Sequence, residues 1–532
     1  MVNEMKATLA KENNYQMTEN GAVGYKSTSS VLTDLNFRVS SMRNEITAND
    51  IYLFVQAMNE DLEYAIKWLF FTRDVRGGMG ERNVFQNLYM KYAEFYPVEA
   101  KATLKLVAEF GRWKDVIDII DMDSNNSLGG MELVMDMFKS DIQNCMEGKP
   151  ISLLAKWMPS INASDKARKQ AKRFAKHFGI DYGTYRRTLS KLRAHLDVTE
   201  VKTCGNRWGE IDYNKVSSNA NKRYTNAFKK HDGERYIDHC TKAMDIASNP
   251  DVKMNTSVLY PHEIWSKYAS ALATEMYAFD FCRYNSLHMV DSKFIDEDIA
   301  MEAMWKNLTD MGDCGNTMVV VDGSGSMTFP SPYKVKPIDV SRSLGVYFAE
   351  RCKGEFNNIL IEFSSQPKLI DLNGCNSLKD KIVEMSKYDD CTNTDIEAVF
   401  MLILQTAINS NMKQSDMPDR ILIVSDMEFD HATGATHYVY GMKALFDDLA
   451  IRFEKYGYKL PKLVFWNVCS RTHTIPMTEN EMGVILVSGY SPNILGMVMS
   501  DQTDPWLALK EKLDDERYAC ISDTLKTVRS ND

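Results

Sequence analysis

The chain has 532 residues, 44% of them hydrophobic and 26% charged, the balance of a globular protein rather than a disordered or membrane-embedded one. That length exceeds what one compact core holds, so two to four domains are expected. A formal charge of −10 excludes a chain that coats nucleic acid with its whole surface, yet leaves room for a local basic site, because steering depends on how charge is distributed.

Residues 1–40 are polar and weakly patterned, with Gly21, Gly24 and a Ser/Thr run at 27–30, and read as an extended N-terminal arm. The opening MVNEMKATLAKENNYQ contains no apolar signal core. From 41 to 314 apolar residues recur at three- and four-residue intervals, as in DIYLFVQAMNEDLEYAIKWLFFTRD, NVFQNLYMKYAEF and VEAKATLKLVAEFGRW, which is the period of amphipathic helices. Turns such as RGGMGER, FYPVE, DSNNSLGG and EGKP separate them, so successive antiparallel helices in a HEAT-like repeat are expected, without a clean sequence period. Trp68, Trp113, Trp157 and Trp208 read as core anchors of successive helical pairs. In RDVRGGMGER, Gly77 and Gly78 are placed to end one helix in a left-handed cap and Glu81 to start the next. Arg73, Asp74, Glu81 and Arg82 then read as structural ion pairs, with RNA contact by Arg76 as the minor alternative.

At about 315, in the loop Met311–Gly315, the pattern changes. TMVVVD is a short buried strand, followed by a Gly/Ser turn and a helix near 338–353. The strands NILIEFSS, RILIVSD, KLVFWNV and GVILVS follow, with helices at TDIEAVFMLILQTAI, near 440–456 and from about 493. Alternating helices and continuous apolar strands predict a doubly wound parallel sheet covered on both faces. The expected division is therefore an arm at 1–40, a helical-repeat domain at 41–314 and an α/β domain at 315–532. The ten cysteines show no CxxC or Cys/His spacing and read as reduced thiols in a cytoplasmic protein. No stretch reaches the roughly 18 to 20 apolar residues of a membrane span.

Asp322-Gly-Ser324-Gly-Ser326 follows the first strand of the α/β domain directly. Ligands of open α/β sheets bind beyond the carboxyl ends of the strands, where this loop falls. Alternate spacing sets one carboxylate and two hydroxyls on one side of a tight turn. Asp426 ends the strand ILIVSD at the same sheet edge, and Thr394 in CTNTD precedes a helix that starts in the same crevice. Two carboxylates and three hydroxyls are hard oxygen donors suited to Mg²⁺ or Mn²⁺. Asp and Ser also brace turns without a metal, but a strand, a Thr and a second Asp in that chain order favour the metal. The pattern resembles the metal-ion-dependent adhesion site of the von Willebrand factor A family over about 315 to 500. The resemblance implies metal ligation by Asp322, Ser324, Ser326, Thr394 and Asp426. If one carboxylate binds through water, the ion stays electrophilic, so the site is expected to face solvent and to accept a carboxylate from a protein partner, or a phosphate.

Competing catalytic readings find no support. GSGS lacks the Lys of a phosphate-binding loop, and Ser324 has no nucleophile-elbow pattern. A non-catalytic protein is expected.

A helical region followed by an A-type domain resembles the TROVE/Ro ribonucleoprotein family. The segments TENGAVGYKST (18–28), RDVRGGMGER (73–82), FGRWKDV (110–116), LLAKWMPS (153–160), YRRTLSKLR (185–193) and HDGERY (231–236) look closest to a TROVE-like branch of it. The resemblance implies a ring of helical repeats that binds structured or misfolded noncoding RNA. Residues 165–235 point the same way independently: eighteen Lys and Arg against eight Asp and Glu give +10, so the rest of the chain carries −20. In SDKARKQAKRFAKH, Ala167, Ala171, Phe174 and Ala175 share one helix face and Lys166, Arg168, Lys169, Lys172, Arg173 and Lys176 fill much of the other. Arg186, Arg187, Lys191 and Arg193 follow, then Lys222, Arg223, Lys229 and Lys230, interleaved with Tyr182, Tyr185 and Tyr224. Most charge runs are solvated helix faces. This density against an acidic remainder favours phosphate binding, and the tyrosines read as core or as base-stacking groups. The function expected is Ro-like RNA binding. The alternative is an assembly component that captures an acidic partner at the metal.

Overall fold

A computed structural model describes residues 14–28, 30–43, 45–281, 296–328, 335–363, 366–388, 395–430, 437–478 and 483–530. The chain forms two compact units that cut across the expected boundaries: Met1–Leu53 with Cys240–Lys512, and Phe54–His239 with Leu513–Asp532.

The first unit is built on a sheet. A short antiparallel hairpin, β1 (Tyr15–Met17) and β2 (Val23–Tyr25), precedes a helix α1 (Val31–Met42). Six further strands, β3 (Thr317–Asp322), β4 (Ile359–Phe363), β5 (Lys368–Asp371), β6 (Arg420–Ser425), β7 (Lys462–Asn467) and β8 (Val484–Ser488), form one sheet in the order β5-β4-β3-β6-β7-β8. All pairs are parallel except β4 with β5. The parallel strands are apolar along their length because helices cover both sheet faces. β3 is buried at every residue. Its cover is the helix Pro337–Ala349, whose Gly345 leaves so little room that a Cβ there would lie 2.2 Å from Val321 Cγ1. The edge strand β5 was not foreseen. Only one of its four residues is buried, so it lacks the apolar run that marked the others.

From residue 14 on, the described part of the expected arm is instead structured within this unit. Ser30 caps α1 by accepting from Thr33 N, and Leu35, Phe37, Val39 and Met42 are buried. Asp34, Asn36 and Ser40 are buried as well, which broke the amphipathic pattern in the sequence. Burial of such groups requires partners. Asp34 Oδ1 accepts from Thr28 N and Oγ1, both at 2.7 Å; at Ser40 it is the backbone N–H that donates to Ser488 Oγ, at 3.0 Å, and the hydroxyl is buried without a partner among the described residues. Residues 240–314, expected in the helical domain, also pack here: Trp305 Nε1 donates to Glu350 Oε1 at 3.0 Å and Ser266 Oγ to Asp339 Oδ2 at 2.8 Å.

The second unit is helical. α2 (Leu62–Arg73), α3 (Arg82–Phe95), α4 (Trp113–Met122) and α5 (Gly130–Met146) follow one another, with two short helices, Pro97–Thr103 and Val107–Phe110, between α3 and α4. α6 (Asp165–His177), α7 (Tyr182–His195) and a long α8 (Ser218–Met244) follow; α8 is two helical segments meeting at Asp232, whose φ −149° and ψ 41° are not helical. The chain then returns at its end with α9 (Ala519–Arg529). Phe70 packs against Phe85 and Phe110, and Phe110 stacks on Tyr518 at 5.7 Å, so the last residues complete this core. Trp68 and Trp113 are buried anchors as expected, but Trp157 and Trp208 are only half-buried.

The turn RDVRGGMGER is structural, with different partners from those expected. Gly80, not Gly77 or Gly78, adopts the left-handed conformation (φ 71°). Arg73 Nε donates to the buried Asp115 at 2.9 Å, while Asp74 accepts from Arg517 Nη2 at 2.7 Å and Tyr518 OH at 3.1 Å. Arg76 is spent on the Glu109 carbonyl.

Candidate metal centre and nucleic-acid interface

β3 and β6 lie side by side, Val321 opposite Val424, and so deliver Asp322 and Asp426 to one sheet edge. The loop after β3 folds back on its own carboxylate: Ser324 N donates to Asp322 Oδ1 at 2.9 Å, and the Ser324 and Ser326 hydroxyls lie 3.0 Å apart. The Ser326 hydroxyl lies near enough to Asp426 to favour its charged form. Asp322, Ser324, Ser326 and Asp426 therefore converge. Thr394 lies outside the described residues. Ser341, on the covering helix, accepts from Asp322 N at 3.2 Å and donates to the Val424 carbonyl at 2.8 Å, tying both strand ends together.

Asp322 and Asp426 are almost fully buried, at 0% and 1% exposure. Burial, reinforced by the negative charge of Asp426, pushes the Asp322 carboxyl up to about 7, against hydrogen bonds from Ser425 and Ser324. Burial also raises Asp426, opposed by the Arg471 guanidinium and the Ser326 hydroxyl. Two buried carboxylates side by side disfavour each other's charged form, which a proton, the Arg471 guanidinium or a bound cation relieves. Among the described residues no three His, Cys, Asp or Glu side chains converge as a metal group. The donors on offer are thus two carboxylates and serine hydroxyls, a hard oxygen set that fits Mg²⁺ or Mn²⁺. Ser324 is buried and Ser326 half-exposed, so Ser326 is the most accessible of the four.

Several residues at this edge carried no mark in the sequence. Arg471 Nη1 donates to Asp426 Oδ2 at 3.1 Å, and its Nε bonds Glu19. Glu428 is buried and accepts from Glu19 N at 2.7 Å, Arg471 N at 2.7 Å and Thr472 N at 2.9 Å. Met427, between the two acids, takes the left-handed φ of 64°, which turns the chain so that Glu428 meets both segments. Thr18 Oγ1 adds a bond to the Phe429 carbonyl at 2.7 Å, and Tyr25 exchanges backbone bonds with Ile475 at 2.8 and 2.9 Å. The β1–β2 hairpin is thereby latched to the loop that carries Asp426. Glu362 on β4 is buried too, and Gly323 makes room for it: a Cβ at 323 would lie 2.4 Å from its Oε1.

The basic candidates separate into two groups. Lys166, Lys169, Lys172, Lys176, Arg186, Arg187, Lys191, Arg223 and Lys230 are exposed on α6, α7 and α8. Lys222 and Lys229 are half-buried. Arg173, half-buried, donates to the Ile120 carbonyl at 3.3 Å. Arg193 is structural: it donates to Ala155 O at 2.9 Å, Ser160 Oγ at 2.8 Å and Met158 O at 2.7 Å, and burial lowers its pKa from the ordinary value. Of the interleaved tyrosines, Tyr185 is core and bonds the Pro159 carbonyl, Tyr224 packs on Phe228, and Tyr182 is exposed with Lys172 Nζ 5.4 Å above its ring. No described helix is long and apolar enough to cross a membrane.

Two family models match the chain, a domain of unknown function (DUF2828) over residues 163–316 and another (DUF7788) over 316–526. An uncharacterised protein of Acanthamoeba polyphaga mimivirus is 28% identical over 526 residues, covering 92% of this chain and 85% of that protein. The crystal structure of the Deinococcus radiodurans Ro (RSR) protein aligns over 90% of this chain and 94% of that one at 11% identity, with a TM-score of 0.34, too low to bear on fold or function.

Proposed function

We propose that this chain is a non-catalytic RNA-binding protein that takes structured or misfolded noncoding RNA on its basic helices and holds Mg²⁺ or Mn²⁺ at the sheet edge. The observation that carries the RNA reading is the exposure of nine of the thirteen candidate side chains, on α6, α7 and α8, in a chain that is acidic elsewhere. Exposed cations at this density release counterions when they meet phosphate, which is the main source of RNA affinity. The metal reading rests on the convergence of Asp322, Ser324, Ser326 and Asp426 and on the buried like charge of the two acids.

The test is a salt titration of RNA binding by the full chain, combined with crosslinking and sequencing of the bound RNA. Replacing Lys169, Lys172 and Lys176 with Glu is expected to weaken binding and to flatten the log–log salt slope by about 0.7 to 0.9 per lost contact. Wild-type protein with no salt-sensitive RNA affinity would refute the reading.

A further inference from the structure

Trp208 does not anchor a helical pair. It stands half-buried in a loop at the side of α8, and its surroundings fix the ring rather than cover it. Nε1 donates to Asn206 Oδ1 at 2.7 Å, and Phe228 meets the ring edge-on at 6.3 Å. The loop itself is pinned by Arg235, whose guanidinium donates to Gly209 O at 2.8 Å and Ile211 O at 2.9 Å. Against this immobile indole lies His231, centroid to centroid 4.5 Å and within 6° of parallel. His231 is exposed, so one face of its imidazole is taken by Trp208 and the other meets solvent. Arg223 and Lys230, seven residues apart on α8 and both exposed, share a helix face turned about 100° from His231.

We infer that Trp208 and His231 form a stacking platform on which an unpaired base of single-stranded RNA lies against the open face of His231. Its neighbouring phosphates then fall to Arg223 and Lys230. The physical argument is one of preorganisation. A flat aromatic face held in place from behind costs no ordering when a base arrives, and stacking tolerates any base because each has a π-face. A duplex offers no such base except at its ends. This inference rests on the RNA reading above and adds to it a preference for unpaired strands.

The experiment measures anisotropy of the full chain with a labelled single-stranded RNA and with a duplex RNA of matched length. His231→Ala is expected to raise the single-strand Kd about tenfold while leaving duplex affinity unchanged. His231→Phe, which keeps a ring face without imidazole chemistry, is expected to restore single-strand binding. The melting temperature of His231→Ala is expected to match wild type, since the side chain is exposed. Three results would overturn the inference while leaving the RNA reading intact: unchanged single-strand affinity in His231→Ala, equal loss on both RNAs, or failure of His231→Phe to rescue. Wild-type protein that binds neither RNA overturns both.

Discussion

The sheet edge and the basic helices both gather like charge, and they treat it in opposite ways. At the sheet edge, two carboxylates are withdrawn from water, and each is held by named donors: Ser425 and Ser324 on Asp322, Arg471 and Ser326 on Asp426. On α6, α7 and α8 most of the cations stay in water, while the half-buried Arg173 and Arg193 are bound to backbone carbonyls. Buried charge demands specific neighbours, because an unpaired one is costly. Exposed charge makes no such demand and is free for a partner that arrives later. Local sequence therefore marks the first kind of site sharply and the second only by density.

The largest expected effect that tests this contrast is at the sheet edge. Asp322→Ala removes the central carboxylate and is expected to abolish Mg²⁺ or Mn²⁺ binding in calorimetry. Unchanged metal affinity would break the comparison at its buried end. Within the basic segment, Arg193→Ala strands three acceptors and is expected to cost about 3 kcal/mol in urea unfolding. Its effect on RNA affinity should follow only from that instability.

A smaller effect concerns the loop that holds the hairpin. His473 is half-buried with φ 59°, and that partial burial, aided by Arg38, lowers its pKa below the ordinary value against the pull of Asp50 and Glu428. As pH falls through about 6.5, the unfolded chain takes up the proton before the folded one does. The stability contributed by neutral His473 is thus full above that pH and declines below it. Melting curves across that range are expected to show a shallower pH dependence in His473→Asn, since Asn tolerates a positive φ. An unaltered profile would remove His473 from the account. The smallest change is expected for Lys169→Ala, within about 0.5 kcal/mol in stability. A larger loss would mean that the exposed cations are spoken for after all.

How much could be read in advance follows from the same distinction. β3, β6, β7 and β8 were legible because their apolar runs are continuous, and the motif at 322–326 because its donors are neighbours in sequence. Arg471 was not legible, since it reaches Asp426 across 45 residues and nothing local singles it out. Arg193 looked like its neighbours because two of its three partners are carbonyl oxygens, which leave no mark in a sequence, and the third is the distant Ser160 hydroxyl. α1 was hidden by buried polar residues, and Trp208 was misplaced because helical spacing does not tell a core tryptophan from one held in a loop.

The way the helical unit is closed has a consequence for how the protein is made. Its two parts, Phe54–His239 and Leu513–Asp532, are separated by the greater part of the other unit. On the ribosome, at about 5 to 20 residues per second, the interval between them lasts on the order of tens of seconds. Throughout that time Phe110 lacks the stacked ring of Tyr518, and the buried Asp74 carboxylate lacks Arg517. The helical half thus emerges early and matures late, with an open apolar face that only residues 513–532 can fill. Nascent chains stalled before residue 513 should draw chaperones to that face, and a stop codon there should yield a protein that is synthesised in full measure and cleared soon afterwards.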